Sequence, residues 1–485
     1  MKRITTKALA ARQTANAPRN ILCLAIDRLN ADFLGAYGNT WIESPAFDAL
    51  AAESVLFDSY YATSLDLPTL YRAFWRGESP VDVRKDEKAP EAGAPDSLFR
   101  ALKEQGYRTF VVSDSEEITL HDAVDSDYCD ERYYLGAPAA QEPVEQVEET
   151  KFFRNFEALA RFIAKLEDES ELGESAPWFV WAHFSGWNNF WDWSLERRER
   201  YREYEEDPEP YAGTTPPYFP DVQKTLGPDV DLEQIELRQS VVEAYAGGIS
   251  VFDETLEGFA RLLDERGVLS KTLFVVTGVR GFGTGAPSAL GIAPEGVEPA
   301  PFYAEEVRVP LLIRLPDKTG ATLRLSGLCE PRDLFETLNS WPTFVQELAD
   351  PEFWKIERSE ISPFAGKWTL DEKPEASEHE DSETTPTEKL SDTPGQNLLS
   401  LLVDESGSAR DCVRIAAVDA DSEERALVVK DWILKKIPNS EDAEQLEHAP
   451  KTRKELFVLP DDRYCVNDVA NRCLDIIEEL EKKLR

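Results

Sequence analysis

The sequence predicts an α/β protein: a large, mostly parallel sheet sandwiched by helices, followed by a small subdomain of antiparallel sheet and one helix. Three observations predict it. Apolar runs at residues 21–26 (ILCLAI), 107–113 (YRTFVVS), 178–183 (WFVWAH) and 273–277 (LFVVT) are of the kind that strands buried on both faces require. Amphipathic segments lie between them, so helix and strand alternate along the chain. Beyond an acidic stretch the pattern changes to short β-type runs and a terminal helix.

Residues 1–18 read as a polar tail. The first strand, 21–26, ends at Asp27, where an open α/β sheet places its site residues. Residues 45–56 read as a helix with Phe47, Leu50, Ala51 and Val55 on one face. Residues 97–105 form the next helix, stopped by Gly106, and 107–113 the next strand. A helix over 153–166 leads to the strand 178–183. Residues 186–226 are polar, aromatic and proline-containing, and read as a lid or loop excursion over the strand ends. Within them, 196–206 (ERRERYREYEE) reads as a charged, solvated helical run. A helix over 237–266 and strands at 273–277 and 309–315 complete the core, residues 19–345. Residues 346–394 connect it to the rest, and 371–392 hold nine acids and two lysines, an acidic insertion unable to build a core. In the C-terminal subdomain, 395–485, residues 426–437 and 455–459 read as paired strands and 469–484 as a closing helix with cations in its last turn.

The charge balance excludes some functions. With 53 basic and 93 acidic residues the chain carries a formal charge of −40, a field that repels nucleic acid and anionic membranes. No run of eighteen apolar residues exists to cross a bilayer, and the N-terminus lacks the apolar stretch of a signal peptide, so a cytoplasmic protein is expected. The six cysteines show neither zinc spacing nor a disulfide framework, and Cys23 reads as a buried strand thiol.

The segment NILCLAIDRLNADFLGAYGNTWIESPAFDALAAESVLFDSYYAT (20–63) and the run RVPLLIRLP (308–316) closely resemble the sulfatases, a family of the alkaline-phosphatase superfamily. The resemblance implies an alkaline-phosphatase-like core with a divalent cation and a covalent nucleophile at its strand ends. Most of those positions are altered. Sulfatases open with two adjacent aspartates that bind the cation, which needs about six oxygen ligands; here Asp27 is followed by Arg28, so Asp27 is the one aspartate of that pair retained. The family's Cys/Ser-x-Pro-x-Arg motif, whose cysteine becomes formylglycine, matches SLDLPTLYRAFWRG. Anchoring on Pro68 places Asp66 at the nucleophile and Leu70 at the arginine; anchoring on Gly77 places Leu67 at the nucleophile. Neither register gives a cysteine, and formylglycine cannot be made from aspartate. Ser64 and Thr69 are nearby hydroxyls, and Thr69 and Arg72 are expected to line the pocket with Asp27, Arg28, Asn188, Val279 and Arg280.

The loop after the third core strand reads HFSGWNNFW: His183 is present at the strand end, and Asn188 stands where the family has its loop histidine. The last ligand pair, in a Thr-Ser-Asp-His/Asn-Gly motif, reads TGVRG, giving Val279 and Arg280, and the lysine expected in the following loop is missing. No metal is expected to bind. Removal of a cation would leave buried carboxylates unbalanced, so Arg28 and Arg280 are expected to pair with Asp27 and Asp66 in its place. The alternative has both arginines pointing to solvent. Trp181, Trp187, Trp191 and Trp193 read either as lid packing or as platforms for sugar rings.

The function these positions favour is that of a catalytically inactive sulfatase-like protein, binding an unidentified protein or a small anionic ligand at the pocket rim, with no cofactor. Two alternatives stand beside it. One is an active sulfuric or phosphoric ester hydrolase using Asp27, Asp66, Thr69 or His183 in new roles and requiring Ca²⁺. The other is a scaffold whose acidic linker is the interaction element.

Overall fold

Strand β1 (Asn20–Ile26) is buried along its whole length, as its unbroken apolar sequence requires, and it lies in the middle of the principal sheet of the computed structural model. The structure describes residues 20–79, 97–124, 127–136, 142–171, 176–204, 207–219, 232–285, 290–292, 303–349, 395–402, 410–416, 424–438 and 452–484. The expected tail, 1–18, and the acidic run, 371–392, lie outside these.

The chain continues through α1 (Pro45–Ala52), β2 (Val55–Tyr60), α2 (Leu67–Arg76), α3 (Leu98–Glu104), β3 (Arg108–Ser113), the short α4 (Glu116–Thr119) and β4 (Glu131–Tyr134). Then come α5 (Lys151–Glu171), β5 (Trp178–Phe184), α6 (Leu195–Glu199), β6 (Tyr218–Phe219), α7 (Leu232–Glu265), β7 (Thr272–Gly278), β8 (Gly283–Thr284) and β9 (Leu290–Gly291). Last in the core are α8 (Ala304–Val307), β10 (Leu311–Arg314), β11 (Leu323–Cys329) and α9 (Pro331–Ala349). The eight-stranded sheet runs β11-β2-β10-β7-β1-β5-β3-β4. Its pairs are parallel except where β10 runs against both β2 and β7. β6, β9 and β8 form a small separate sheet.

Two boundaries differ from the sequence expectation in an instructive way. The helix expected over 45–56 stops at Ala52, and Val55 and Leu56 begin β2. Val55 continues the apolar face of the helix, but pairing of Val55 and Leu56 with Ile313 and Leu312 of β10 decides their conformation. Among the described residues of the charged run 196–206, the helix ends at Glu199. Arg198 turns inward there, and its guanidinium donates to the backbone carbonyls of Trp191, Trp193, Tyr211 and Gly213. One buried cation thus gathers the loop expected to form a lid. Trp181, Trp187, Trp191 and Trp193 are all fully buried, so they are packing residues and none is available to a sugar ring.

The C-terminal subdomain is a four-stranded antiparallel sheet, β12 (Cys412–Ala416), β13 (Arg425–Val429), β14 (Trp432–Pro438) and β15 (Thr452–Val458), followed by α10 (Leu474–Leu484). Alternation gives it two apolar faces. Val413, Ile415, Val428, Ile433 and Phe457 pack against Tyr61, Leu65, Tyr303 and Leu328 of the core. Leu427, Leu434 and Leu456 pack against Ile477, Leu480 and Leu484 of α10. Two compact units result. Residues 18–340 and 395–485 form one, and 1–17 with 341–394 form the other, of which only 341–349 are described, as the end of α9. Among the described residues no helix is long and apolar enough to cross a membrane. All six cysteines are free thiols, and burial pushes that of Cys23, inside β1, well above its ordinary value.

Candidate functional site

Parallel strands deliver the site residues to one edge of the sheet. β1, β5 and β7 are in register through Ala25, His183 and Thr277, so the residues following them converge. Asp27 follows β1 and is 1% exposed. Its carboxylate takes four hydrogen bonds. Oδ1 accepts from the Arg28 backbone N–H (3.0 Å) and Arg280 Nε (3.0 Å); Oδ2 accepts from Arg280 Nε (3.3 Å) and the second Arg280 terminal nitrogen (3.1 Å). Burial alone would push the Asp27 carboxyl up, but the charges of Arg280 and Arg28 outweigh it and hold it below its ordinary value. For Arg280 burial works against the charge, while Asp27, then Asp66 and Glu117, overcome it and raise its value. At about 4 Å and an effective dielectric of about 20, one such pair is worth roughly 4 kcal/mol before desolvation is charged against it. The remaining Arg280 terminal nitrogen donates to the carbonyl of Leu65, just before α2.

Arg28 does not join Asp66. Its backbone is left-handed at φ +62°, a conformation that costs a non-glycine residue about 1–3 kcal/mol unless its surroundings hold it. Tyr245 Oη donates to its carbonyl (2.7 Å), and its own Nη1 donates to the carbonyl of Gly281 (2.9 Å). Burial and the charge of Arg280 push its guanidinium down to about 10. Asp66 is committed elsewhere. It is the N-cap of α2, accepting from the Thr69 N–H at 2.9 Å, while its own N–H donates to Ser64 Oγ at 3.1 Å. The four-charge box expected from the sequence is therefore half right: Arg280 closes on Asp27, and Arg28 and Asp66 are separately engaged.

The other candidates divide in the same way. Val279 is fully buried, and its N–H donates to the carbonyl of Ile26 (2.9 Å), so it only continues the sheet edge. His183 is fully buried, with Nδ1 at 2.6 Å from Tyr71 Oη, which also accepts from Trp181 Nε1 at 3.3 Å. With the phenol donating to Nδ1, the proton of the neutral ring sits on Nε2, which has no hydrogen-bond partner. Burial pushes the histidine below its ordinary value, with Asp27 and Asp114 opposing. Arg72 does not line the strand-end cluster as expected: it is an outward-facing side chain paired with Asp122 at 3.0 Å. Asn188 lies in a short turn after β5, and its amide reaches only Asn189 (3.2 Å). Thr69 gives its N–H to Asp66 within the first turn of α2.

Three residues at this edge carried no sequence signal. Tyr71 lies 112 positions from His183. Asp114, after β3, accepts from Ser185 N–H (2.7 Å), Ser185 Oγ (2.9 Å) and Asn155 Nδ2 (2.8 Å). Tyr245 holds the Arg28 turn from the middle of α7. Each becomes a site residue only through tertiary packing of strand ends and helices.

The divalent cation implied by the resemblance does not fit these residues. Every acceptor direction of Asp27 is occupied by N–H groups, the neighbouring positions hold two guanidinium groups and a valine, and among the described residues no three His, Cys, Asp or Glu side chains converge. No cysteine stands at the nucleophile position in either register.

The sequence model of the sulfatase family matches residues 19–342. No curated protein matches the chain. Among solved structures, the chain is similar to a protein in complex with its substrate D-glucosamine-2-N,6-O-disulfate, with 15% identity, TM-score 0.63 and coverage of 96% of this chain and 97% of that one. It is similar to the phosphonate monoester hydrolase of Agrobacterium radiobacter, with 14% identity, TM-score 0.61 and coverage of 96% and 94%. The corresponding figures for the phosphonate monoester hydrolase of Silicibacter pomeroyi are 15%, 0.60, 96% and 94%. At such identities the likeness is one of fold.

Proposed function

The chain belongs to the sulfatase family, and from that premise we propose that it is a cytoplasmic member that hydrolyses no sulfuric ester and acts by binding, taking a small anion or a protein at the strand-end edge of its sheet. The observation that carries this is the state of Asp66. A covalent nucleophile needs a free, activated lone pair facing the substrate. One oxygen of Asp66 is instead bonded to Thr69 N–H at 2.9 Å as the N-cap of α2, and the positive charge nearby is Arg280, already bound to Asp27. His183 is fully buried against Tyr71 and Trp181, where a proton donor for a leaving group has no access to it.

The test is turnover by the full-length protein of an aryl sulfate, an aryl phosphonate monoester and D-glucosamine-2-N,6-O-disulfate, with Ca²⁺ and with EDTA. The expected result is no release above the protein-free rate in any case. Release that disappears in the Asp66→Ala variant would establish the hydrolase alternative instead.

A further inference from the structure

The strand-end edge holds a feature that the loss of hydrolysis alone does not require. A dead active site can decay into solvent-facing polar residues. Here Arg280 is 88% shielded, its side chain only 12% exposed, and its guanidinium is bonded on three sides. It reaches both oxygens of Asp27 at the end of β1 and the carbonyl of Leu65 before α2, while its own backbone follows β7. Its neighbour Gly281 is anchored by N–H donation to the Glu306 carbonyl (2.7 Å) and accepts the Arg28 side chain. Three separate chain segments thus meet on one planar cation, a geometry that suits the fixed fork of a guanidinium.

We propose that Arg280 is a built-in counter-ion that fastens the ends of β1 and β7 to the start of α2, so that the fold needs no divalent cation at this edge and excludes one. The proposal rests on the non-hydrolytic reading above only in taking the edge to be free of a working metal. Two observations support it. The lone pairs of Asp27 are filled by N–H donors. Arg28 is also buried beside it, so a cation at Asp27 would face two guanidinium groups, whose charges are already matched by Asp27, Asp66, Glu117 and Glu306. A cation supplied from solution would need both guanidinium groups to leave, and Arg28 is held by Gly281 and Tyr245.

The experiment uses the full chain and follows thermal unfolding with calcium chloride, magnesium chloride or EDTA, with calorimetric titration of calcium. For the natural sequence the midpoints are expected to agree within about 1 °C, with no calcium heat, since a ligand that does not bind the folded state cannot shift it. Arg280→Met is expected to lower the midpoint by several degrees in all three conditions. The triple variant Arg28→Asp, Val279→Asp, Arg280→Asn is expected to melt higher with calcium than with EDTA; aspartate tolerates the left-handed turn at position 28 better than most residues. Stoichiometric calcium binding by the natural sequence, reversed by EDTA, overturns the proposal. So does an Arg280→Met variant that melts with the natural protein. Should the triple variant fail to fold, those two measurements still decide. Turnover is scored separately, so a hydrolase that melts independently of calcium refutes the proposed function and leaves this inference standing.

Discussion

Replacing Arg410 with methionine tests whether the C-terminal subdomain is held to the core by buried charge. Arg410 precedes β12 and is bridged to Leu328 of β11. Its guanidinium lies 3.1 Å from Glu330 and donates through Nε to Asp333 Oδ2 at 3.3 Å, with a second bond to Asp333 Oδ1. Arg332 binds the same Glu330 at 2.6 Å. Asp333 also accepts the Gln396 N–H at 2.8 Å, where the chain re-enters this unit. The four charges cancel and all four residues are buried. Methionine fills most of the arginine's volume but strands two carboxylates against one guanidinium, and breaking a buried pair in this way costs about 3–5 kcal/mol.

At about 2 °C per kcal/mol for a large domain, the Arg410→Met midpoint falls by roughly 6–10 °C. The control is Arg72→Met. Its pair with Asp122, at 3.0 Å, is about as close as the Arg410–Glu330 pair at 3.1 Å, but its side chains are 34% and 59% exposed, so its loss costs no more than about 1 kcal/mol. The pH dependence gives a second reading. Burial already holds Glu330 above its ordinary value despite Arg332 and Arg410. Without Arg410 it rises further, so the folded variant binds the proton more tightly than the unfolded chain. Its deficit is then smallest at low pH and grows as pH rises through the raised value. An Arg410→Met protein as stable as Arg72→Met, or equally destabilised at pH 5 and pH 8, would refute the reasoning.

Arg198→Lys keeps the charge but cannot reach four carbonyls at once; it is expected to lose about 2–3 kcal/mol locally and to speed amide exchange and proteolysis within residues 186–219. Asp253 caps α1 from α7, accepting from Ala46 N–H (3.0 Å) and Phe47 N–H (2.8 Å), and burial pushes it up from 3.8 to about 6. Its contribution to stability is therefore fully present below its unfolded value and declines as pH rises through about 6. Asp253→Asn is expected to lack that decline in a pH series of urea midpoints. Tyr71→Phe leaves His183 Nδ1 and Trp181 Nε1 without their shared partner and is expected to cost about 1–3 kcal/mol, read as a drop in the denaturation midpoint at unchanged slope.

Much of the core was legible because strands buried on both faces must be apolar throughout: β1, β5 and β7 are plain in the residues themselves. In the C-terminal subdomain β15 and α10 were legible, whereas the single run read over 426–437 turns back on itself as β13 and β14, and β12 carried no reading. Less legible were β2, whose first residue extends a helical face, and α2, whose residues read as a motif rather than as a helix. At the site, residue chemistry by itself determined that Asp27 would stand among arginines where other sulfatases place a cation. Tertiary structure alone decided which arginine serves it. Only Arg280 leaves its strand in the direction of Asp27, whereas the left-handed turn at Arg28 sends that side chain to Gly281, and Asp66 is already occupied as the cap of its own helix. Likewise the Tyr71–His183 contact joins residues 112 apart. A sequence fixes which charges and donors exist, but backbone direction and strand order fix which of them meet, and the energy of a buried charge depends on that meeting.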